Sequence, residues 1–461
     1  ICPLICTLIC FFVTLRVNTQ NLITFGVNLA DNVMIGDDGD FRESWARCYA
    51  PKPLYGLAKC EELIPVIQRK FRFNTAYCDV HTAVIPWGRT DYDARVPGGG
   101  TFAQTFYAFG EIMLLQKKTW GGPVYSEGRN HWLYSGLTDG NYGQDRAYDL
   151  VKHPWLVDFN LLRMHPLTCD HMGYCSMFYG DNNVPKDRWE AMHLWFAAGL
   201  AFGHMPFPDS KYQTYAYYMA MAISSRYSQE NVKAIRYADG RGRLLDTSEA
   251  VISKVYKRSQ VAVAYDGGTL VTVNGSRDGE WMKVRRGKGA LLLPPGGFFA
   301  AGGDVVVYSG PVGGNPRADF CASDGYVYLN GRGRYMECPG GAAAGEFVRL
   351  RGKDGTEEVI AFSMKSGDEL VLPYRAEKIT GLDYKDRKET GAVDFTVDER
   401  GRTHFKLKAG SFSYRVIPAV GTVFASPADY EAAVLAEKNA AIPAPPPKAP
   451  VLSRPLPRQC K

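Results

Sequence analysis

The chain has 461 residues, of which 22% are charged and 13% aromatic, and its formal net charge is +6. That length exceeds one typical domain and can bury a large core. The charge is small for the size and Lys and Arg form no runs, which argues against a nucleic-acid partner. The eleven cysteines contain no C-x-x-C pair and no regular spacing, which argues against a zinc ribbon or a disulfide scaffold.

Ile1 to Val13 is an apolar run followed by Arg16. It is short for a membrane span, and it lacks the basic region and small-residue cleavage site of a secretory signal. Residues 1–20 are therefore read as a leader from a truncated or misassembled start and kept out of the fold argument; a secreted or periplasmic protein without stable membrane insertion is expected. Leu22 to Asn28 reads as a strand, and Pro53 to Lys70 has helical periodicity. Ala76 to Cys78 is a short apolar strand that runs into Asp79. Phe102 to Lys118 is again helical, and Pro123 to Ser126 is a second short strand, which runs into Glu127. Strand, crossover helix and strand, each strand tipped by an acid, is the pattern of a βαβ unit.

Val157 to Met164 (strand), Arg188 to Leu200 (helix), Phe202 to Phe207 (strand) and Tyr212 to Tyr227 (helix) continue the alternation. No G-x-G-x-x-G or G-x-x-x-x-G-K-[ST] follows any strand, so an α/β fold of the (β/α) TIM-barrel type is expected over residues 21–244, lacking its opening strands. The pattern changes near residue 245. Val261 to Asn274 alternates around a Gly-Gly turn and reads as a β-hairpin. Further strand-like runs separated by Gly- and Asp-rich turns predict an all-β, sandwich-like region, divided into 245–314 and 315–422. Residues 423–461 read as a helix followed by a Pro-rich tail.

Two carboxylates at the ends of neighbouring parallel strands point to paired-acid chemistry, with glycoside hydrolysis as the leading case. Asp79 is the candidate nucleophile and Glu127 the candidate general acid/base, a role that requires a carboxyl able to donate a proton near neutral pH. His81 shares a strand face with Asp79 and is placed to bond a substrate hydroxyl. Arg129 and Asp139 are candidates for orienting substrate, and Trp87, Trp132 and Tyr134 for stacking on a sugar ring. His165 and Asp170 complete the substrate-binding set. Each of these types also serves plainly structural ends: an Asp as a helix cap, a Trp as a loop anchor, an Arg–Asp couple as an intra-loop ion pair. His and Asp at strand ends also permit a metal-dependent hydrolase, but no H-x-H or H-E-x-x-H occurs. No cofactor is expected, calcium in a structural role being the one ion allowed for.

At Y-C-D-V-H-T and V-Y-S-E-G-R-N-H-W-L-Y-S-G-L-T-D-G the sequence resembles the endo-α-N-acetylgalactosaminidase type of retaining glycoside hydrolase, families 101 and 129, with their uncharacterised bacterial relatives. The resemblance covers roughly residues 22 to 310. It implies a barrel in which a nucleophilic Asp ends one strand and an acid/base Glu ends the next, roles that fall on Asp79 and Glu127. It also implies a glycan or glycoside substrate with α-linkages and retention of configuration. V-T-V-N and L-P-P-G-G-F are similar to the accessory sheet domains that follow many glycosidase barrels. A non-catalytic carbohydrate-binding protein is the alternative that the aromatic content supports.

Overall fold

The computed structural model describes residues 15–16, 29–44, 48–78, 80–128, 130–142, 155–157, 188–203, 213–287 and 289–436. The chain divides into two compact units. Unit 1 comprises Ile1–Tyr148 and Asn160–Phe178, and unit 2 comprises Asp149–Phe159 and Tyr179–Lys461.

In unit 1, β1 (Leu15–Arg16) pairs antiparallel with β2 (Cys48–Tyr49). Helix α1 (Pro53–Phe71) starts on proline, whose missing N–H costs nothing in a first turn. It stops at Arg72, which turns left-handed at φ +54 and returns its N–H to the Gln68 carbonyl. β3 (Ala76–Cys78), α2 (Phe102–Trp120) and β4 (Val124–Glu127) form a βαβ unit, with Ala76 opposite Val124 and Cys78 opposite Ser126 in parallel register. β5 (Gly140–Tyr142) joins β4, also in parallel. Ala108, Ile112, Met113, Gln116 and Trp120 are buried along α2 at helical spacing. Ile112, Met113 and Trp120 form one core with Cys60 and Ile64 of α1 and with Ala76, Cys78 and Val124 of the sheet. Burying a side chain of the size of Ile112 stabilises the unit by about 1.5–3 kcal/mol. Gly121, at φ +66, ends α2 because the left-handed turn there has no Cβ to obstruct it.

Unit 2 is built on a 13-stranded sheet. Its strands begin with β6 (Val232–Ala238), β7 (Leu244–Leu245), β8 (Gln260–Tyr265) and β9 (Leu270–Asn274). Gly267 and Gly268 lie in the turn between β8 and β9, and Gly268 takes φ +96. A separate hairpin, β10 (Met282–Arg286) with β11 (Gly289–Leu293), precedes β12 (Phe298–Gly302), β13 (Val305–Val312), β14 (Asn315–Ala322) and β15 (Tyr326–Asn330). β16 (Met336–Cys338) and β17 (Gly341–Ala343) belong to a second sheet of five strands. β18 (Glu346–Arg351) and β19 (Glu357–Ala361) return to the large one. β20 (Glu369–Leu372) is in the five-stranded sheet, and β21 (Ala376–Leu382) and β22 (Glu389–Ala392) are in the large one. β23 (Phe395–Val397) and β24 (Thr403–Lys406) complete the five, and β25 (Ser413–Pro418) inserts between β19 and β21. The large sheet pairs antiparallel throughout, and β13 and β14 form one hairpin across residue 315.

Helices α3 (Arg188–Phe202) and α4 (Gln213–Tyr227) cover this sheet. Phe196 of α3 packs on Phe298 of β12 with ring centroids 5.3 Å apart, and Tyr227 of α4 stacks on Tyr265 of β8 at 5.7 Å. A short α5 (Thr247–Ile252) is closed by a capping box between Asp246 and Glu249. The final helix, α6 (Pro427–Ala436), buries Tyr430 and Val434 in the core shared with Phe320, Leu329 and Leu372.

The expected (β/α) TIM-type barrel is not the fold. The chain is mainly β, and among the described residues parallel pairing is confined to β3, β4 and β5 and one isolated bridge, Ser135 with Thr138. The two helices read as barrel crossovers, α3 and α4, pack on an antiparallel sheet instead. Their apolar residues specify that the helices are buried but leave open which sheet buries them. The expected strands at Leu22 to Asn28, and beyond 157 and 203, lie outside the described residues. No helix among the described residues is long and apolar enough to cross a membrane.

Candidate functional site

Glu127 is the last residue of β4, and its half-buried carboxylate accepts the Val80 N–H at 3.0 Å. Asp79, Arg129, His165 and Asp170 lie outside the described residues. The two chain neighbours of Asp79 are both tied to β4: Cys78 pairs with Ser126, and Val80 bonds Glu127. Val80 takes φ +69, a left-handed conformation that a β-branched side chain resists. Such strain costs about 1–3 kcal/mol and persists only where the surroundings over-determine it.

Those surroundings are visible. The Ser126 hydroxyl donates to the Cys78 carbonyl at 2.8 Å, and the Thr82 hydroxyl lies 2.8 Å from Ser126 and also reaches the Glu127 carbonyl. Asn130 donates its backbone N–H to the Thr82 carbonyl at 2.8 Å and its side-chain amide to the Ala83 carbonyl at 3.1 Å. Gly128, at φ +88, presses against Ala83 so closely that a Cβ would stand 2.3 Å from the Ala83 Cα. The loops after β3 and β4 are thus laced together at the carboxyl ends of the strands, where parallel sheets place ligands.

His81 follows the strained residue, and its ring meets Phe109 edge-on at 4.5 Å. Trp132 is 61% exposed and Trp87 50% exposed, with Trp87 set edge-on to Phe102 at 6.2 Å. Both indoles keep area that can receive the apolar face of a sugar. Tyr134 does not: it is fully buried, stacked on Phe106 at 5.2 Å, and burial pushes its phenol pKa up. Asp139 is not an orienting group at this site either. It precedes β5, accepts the Val124 N–H at 2.8 Å and pairs with Lys117 at 2.7 Å, so it binds the opposite end of β4 from Glu127. Burial opposes ionisation of Asp139, but the Lys117 and Val124 bonds outweigh it and hold the carboxyl below its usual range. Val80, Thr82, Ser126 and Gly128 were not singled out from the sequence; Gly128 directly after a strand-ending acid was the one available signal.

Unit 2 holds a dense group of ionisable residues of its own. Asp319, on β14, is fully buried and receives a two-pronged bond from Arg332, Nε to Oδ2 at 2.6 Å and Nη2 to Oδ1 at 2.8 Å. Tyr215 of α4 donates to the same carboxylate at 3.2 Å, and its hydroxyl lies 3.2 Å from His193 Nδ1 on α3. Arg332 also reaches that nitrogen at 3.1 Å; since a guanidinium only donates, His193 accepts through Nδ1 and is neutral there. Burial raises the Asp319 pKa, but Arg332 overrides it and brings the value down to about 2. Burial and the adjacent Arg332 charge hold His193 well below the ordinary imidazole value. Deeper along the sheet, Glu357 is gripped by Arg349 at 2.8 and 3.0 Å and by the Tyr374 hydroxyl. The Asp319 network ties α3 and α4 to the large sheet, whereas the Glu357 network joins β18 and β19 to Tyr374 after β20.

Among the described residues no group of three His, Cys, Asp or Glu side chains is placed to hold a metal ion. No protein-family model matches the chain, and no curated protein matches it.

Proposed function

We propose that unit 1 carries a retaining glycoside hydrolase acting on α-linked glycans, N-acetylgalactosaminides foremost among them. In this reading Asp79 attacks the anomeric carbon and displaces the leaving oxygen, which Glu127 protonates. Glu127 then takes a proton from the water that releases the sugar, so the configuration is retained. The observation that carries the reading is the contact between Val80 and Glu127. It brings the residue after Asp79 onto the carboxylate of the candidate acid/base, through a backbone strained by its φ of +69. Trp87 and Trp132 offer the flanking sugar platforms, and His81 a hydroxyl contact. A secreted or periplasmic setting fits a glycan substrate.

The test is turnover of aryl α-glycosides by Asp79→Asn and Glu127→Gln. Both variants are expected to lose hydrolysis of substrates with poor leaving groups, Glu127→Gln by about 10²–10⁴-fold, the usual contribution of general acid/base catalysis. Glu127→Gln should still cleave dinitrophenyl glycosides, whose leaving group needs no proton, and azide should restore its turnover with retained configuration. Unchanged turnover in either variant overturns the assignment. The exposed indoles equally favour a non-catalytic carbohydrate-binding protein, for which the wild type shows no turnover and Asp79→Asn binds glycans as tightly as wild type.

A further inference from the structure

Unit 2 carries a cleft of about 420 Å³ lined by Leu350, Arg351, Asp354, Glu358, Leu382, Arg387 and Arg415, among others. That volume lies within the range of small-ligand sites, roughly 300–1,000 Å³. Its floor is a row across the large sheet, because Leu350 stands opposite Glu358 and Glu358 opposite Arg415 in register. Directly opposed residues share a face, so Leu350, Glu358 and Arg415 point the same way.

The guanidinium groups of the cleft already have carboxylate neighbours. Arg387 bonds Glu358, Arg415 lies 3.5 Å from Glu389, and Arg351 lies 3.9 Å from Glu357. The balance disfavours an anion, which would meet the carboxylates, and a cation, which would meet the guanidiniums. A lining dominated by charged side chains disfavours a lipid. What it offers is donors beside acceptors at hydrogen-bonding spacing, the arrangement that adjacent hydroxyls on a sugar ring can bridge. An aromatic ring stands at the same end of the sheet. Tyr384 is 76% exposed and edges onto Phe412 at 4.9 Å, and Arg387 lies over that Phe412 ring at 5.8 Å.

We propose that this cleft binds a neutral saccharide, with Arg415, Glu358 and Arg387 contacting ring hydroxyls and Tyr384 stacking on an adjoining sugar. The inference stands apart from the chemistry proposed for unit 1, since none of these residues belongs to it. The experiment is affinity electrophoresis of the full chain through gels holding dextran, galactomannan, xyloglucan or, as the anionic control, polygalacturonate. At least one neutral polymer is expected to retard the protein. Arg415→Ala and, separately, Tyr384→Ala should weaken that retardation about tenfold, equivalent to about 1.4 kcal/mol. Glu127→Gln should be retarded like the wild type, and turnover of small aryl glycosides should be unchanged in the two cleft variants. Retardation by polygalacturonate alone, by no polymer, or undiminished in Tyr384→Ala, whose exposed ring can be removed without unfolding the sheet, overturns the proposal.

Discussion

Glu127 in unit 1 and Asp319 in unit 2 are both carboxylates on β-strands, and both are held by a neighbouring segment, but they are held differently. Glu127 ends its strand, is half-buried, and accepts from the backbone of a strained residue. Asp319 sits inside its strand with no exposure and is matched by the charge of Arg332 and the hydroxyl of Tyr215. Asp319 and His193 in unit 2 are strongly perturbed titrating groups, yet their partners are other side chains of the same core. In unit 1, Glu127 stands at a strand end beside the loop that carries Val80 and Thr82. A shifted pKa marks functional sites and structural ion pairs alike, and access separates the two.

The contrast can be broken most sharply at Asp319. Asp319→Ala removes a fully buried carboxylate, leaves the partly buried Arg332 without its countercharge, and should cost about 3 kcal/mol in urea unfolding. Glu127→Gln should change stability by less than about 1 kcal/mol, because the amide oxygen can still accept from Val80. Comparable losses from both would remove the distinction.

A smaller effect is expected with pH. The folded pKa of His193 is depressed, so between that value and the ordinary 6.5 the unfolded chain binds the extra proton. The stability linked to His193 is therefore complete above pH 6.5 and falls as the pH drops below it. The slope is about 1.4 kcal/mol per pH unit for a single proton. Asp319, brought down to about 2 from 3.8, adds a second loss between those two values. Urea midpoints for His193→Gln should be flat from about pH 6.5 to 5, where the wild type declines; parallel curves would show that His193 is not the group responsible.

The smallest change concerns Tyr134. Its buried hydroxyl has no hydrogen-bond partner among the described residues. Tyr134→Phe removes that unsatisfied group and should raise stability by up to about 1 kcal/mol without altering glycoside turnover. A fall in turnover at unchanged stability would return Tyr134 to the substrate-binding set.

Several elements were legible in the sequence because their signals are local. The apolar spacing of α2 marked a helix, and the Gly-Gly turn between alternating runs marked the β8–β9 hairpin. The β3–β4 pair with its terminal Glu127 was legible for the same reason, each strand being an apolar run ended by an acid. β14 was not picked out: Pro316, Arg317 and Asp319 interrupt its apolar pattern, and its charges make sense only against Arg332. For Asp139 the sequence left open substrate orientation or an ion pair within its loop, and the fold set Lys117 of α2 beside it.

The sequence by itself determined where α1, α2, α3 and α4 coil and where the β8–β9 hairpin turns, since turn geometry and side-chain periodicity act within a few residues. Only the tertiary structure decided that α3 and α4 cover an antiparallel sheet, that Tyr134 faces inward and Trp132 outward, and that Val80 reaches Glu127. Periodicity states that a face is buried and is silent about its partner. That choice is made by pairings between residues far apart in the chain, such as Asp319 with Tyr215.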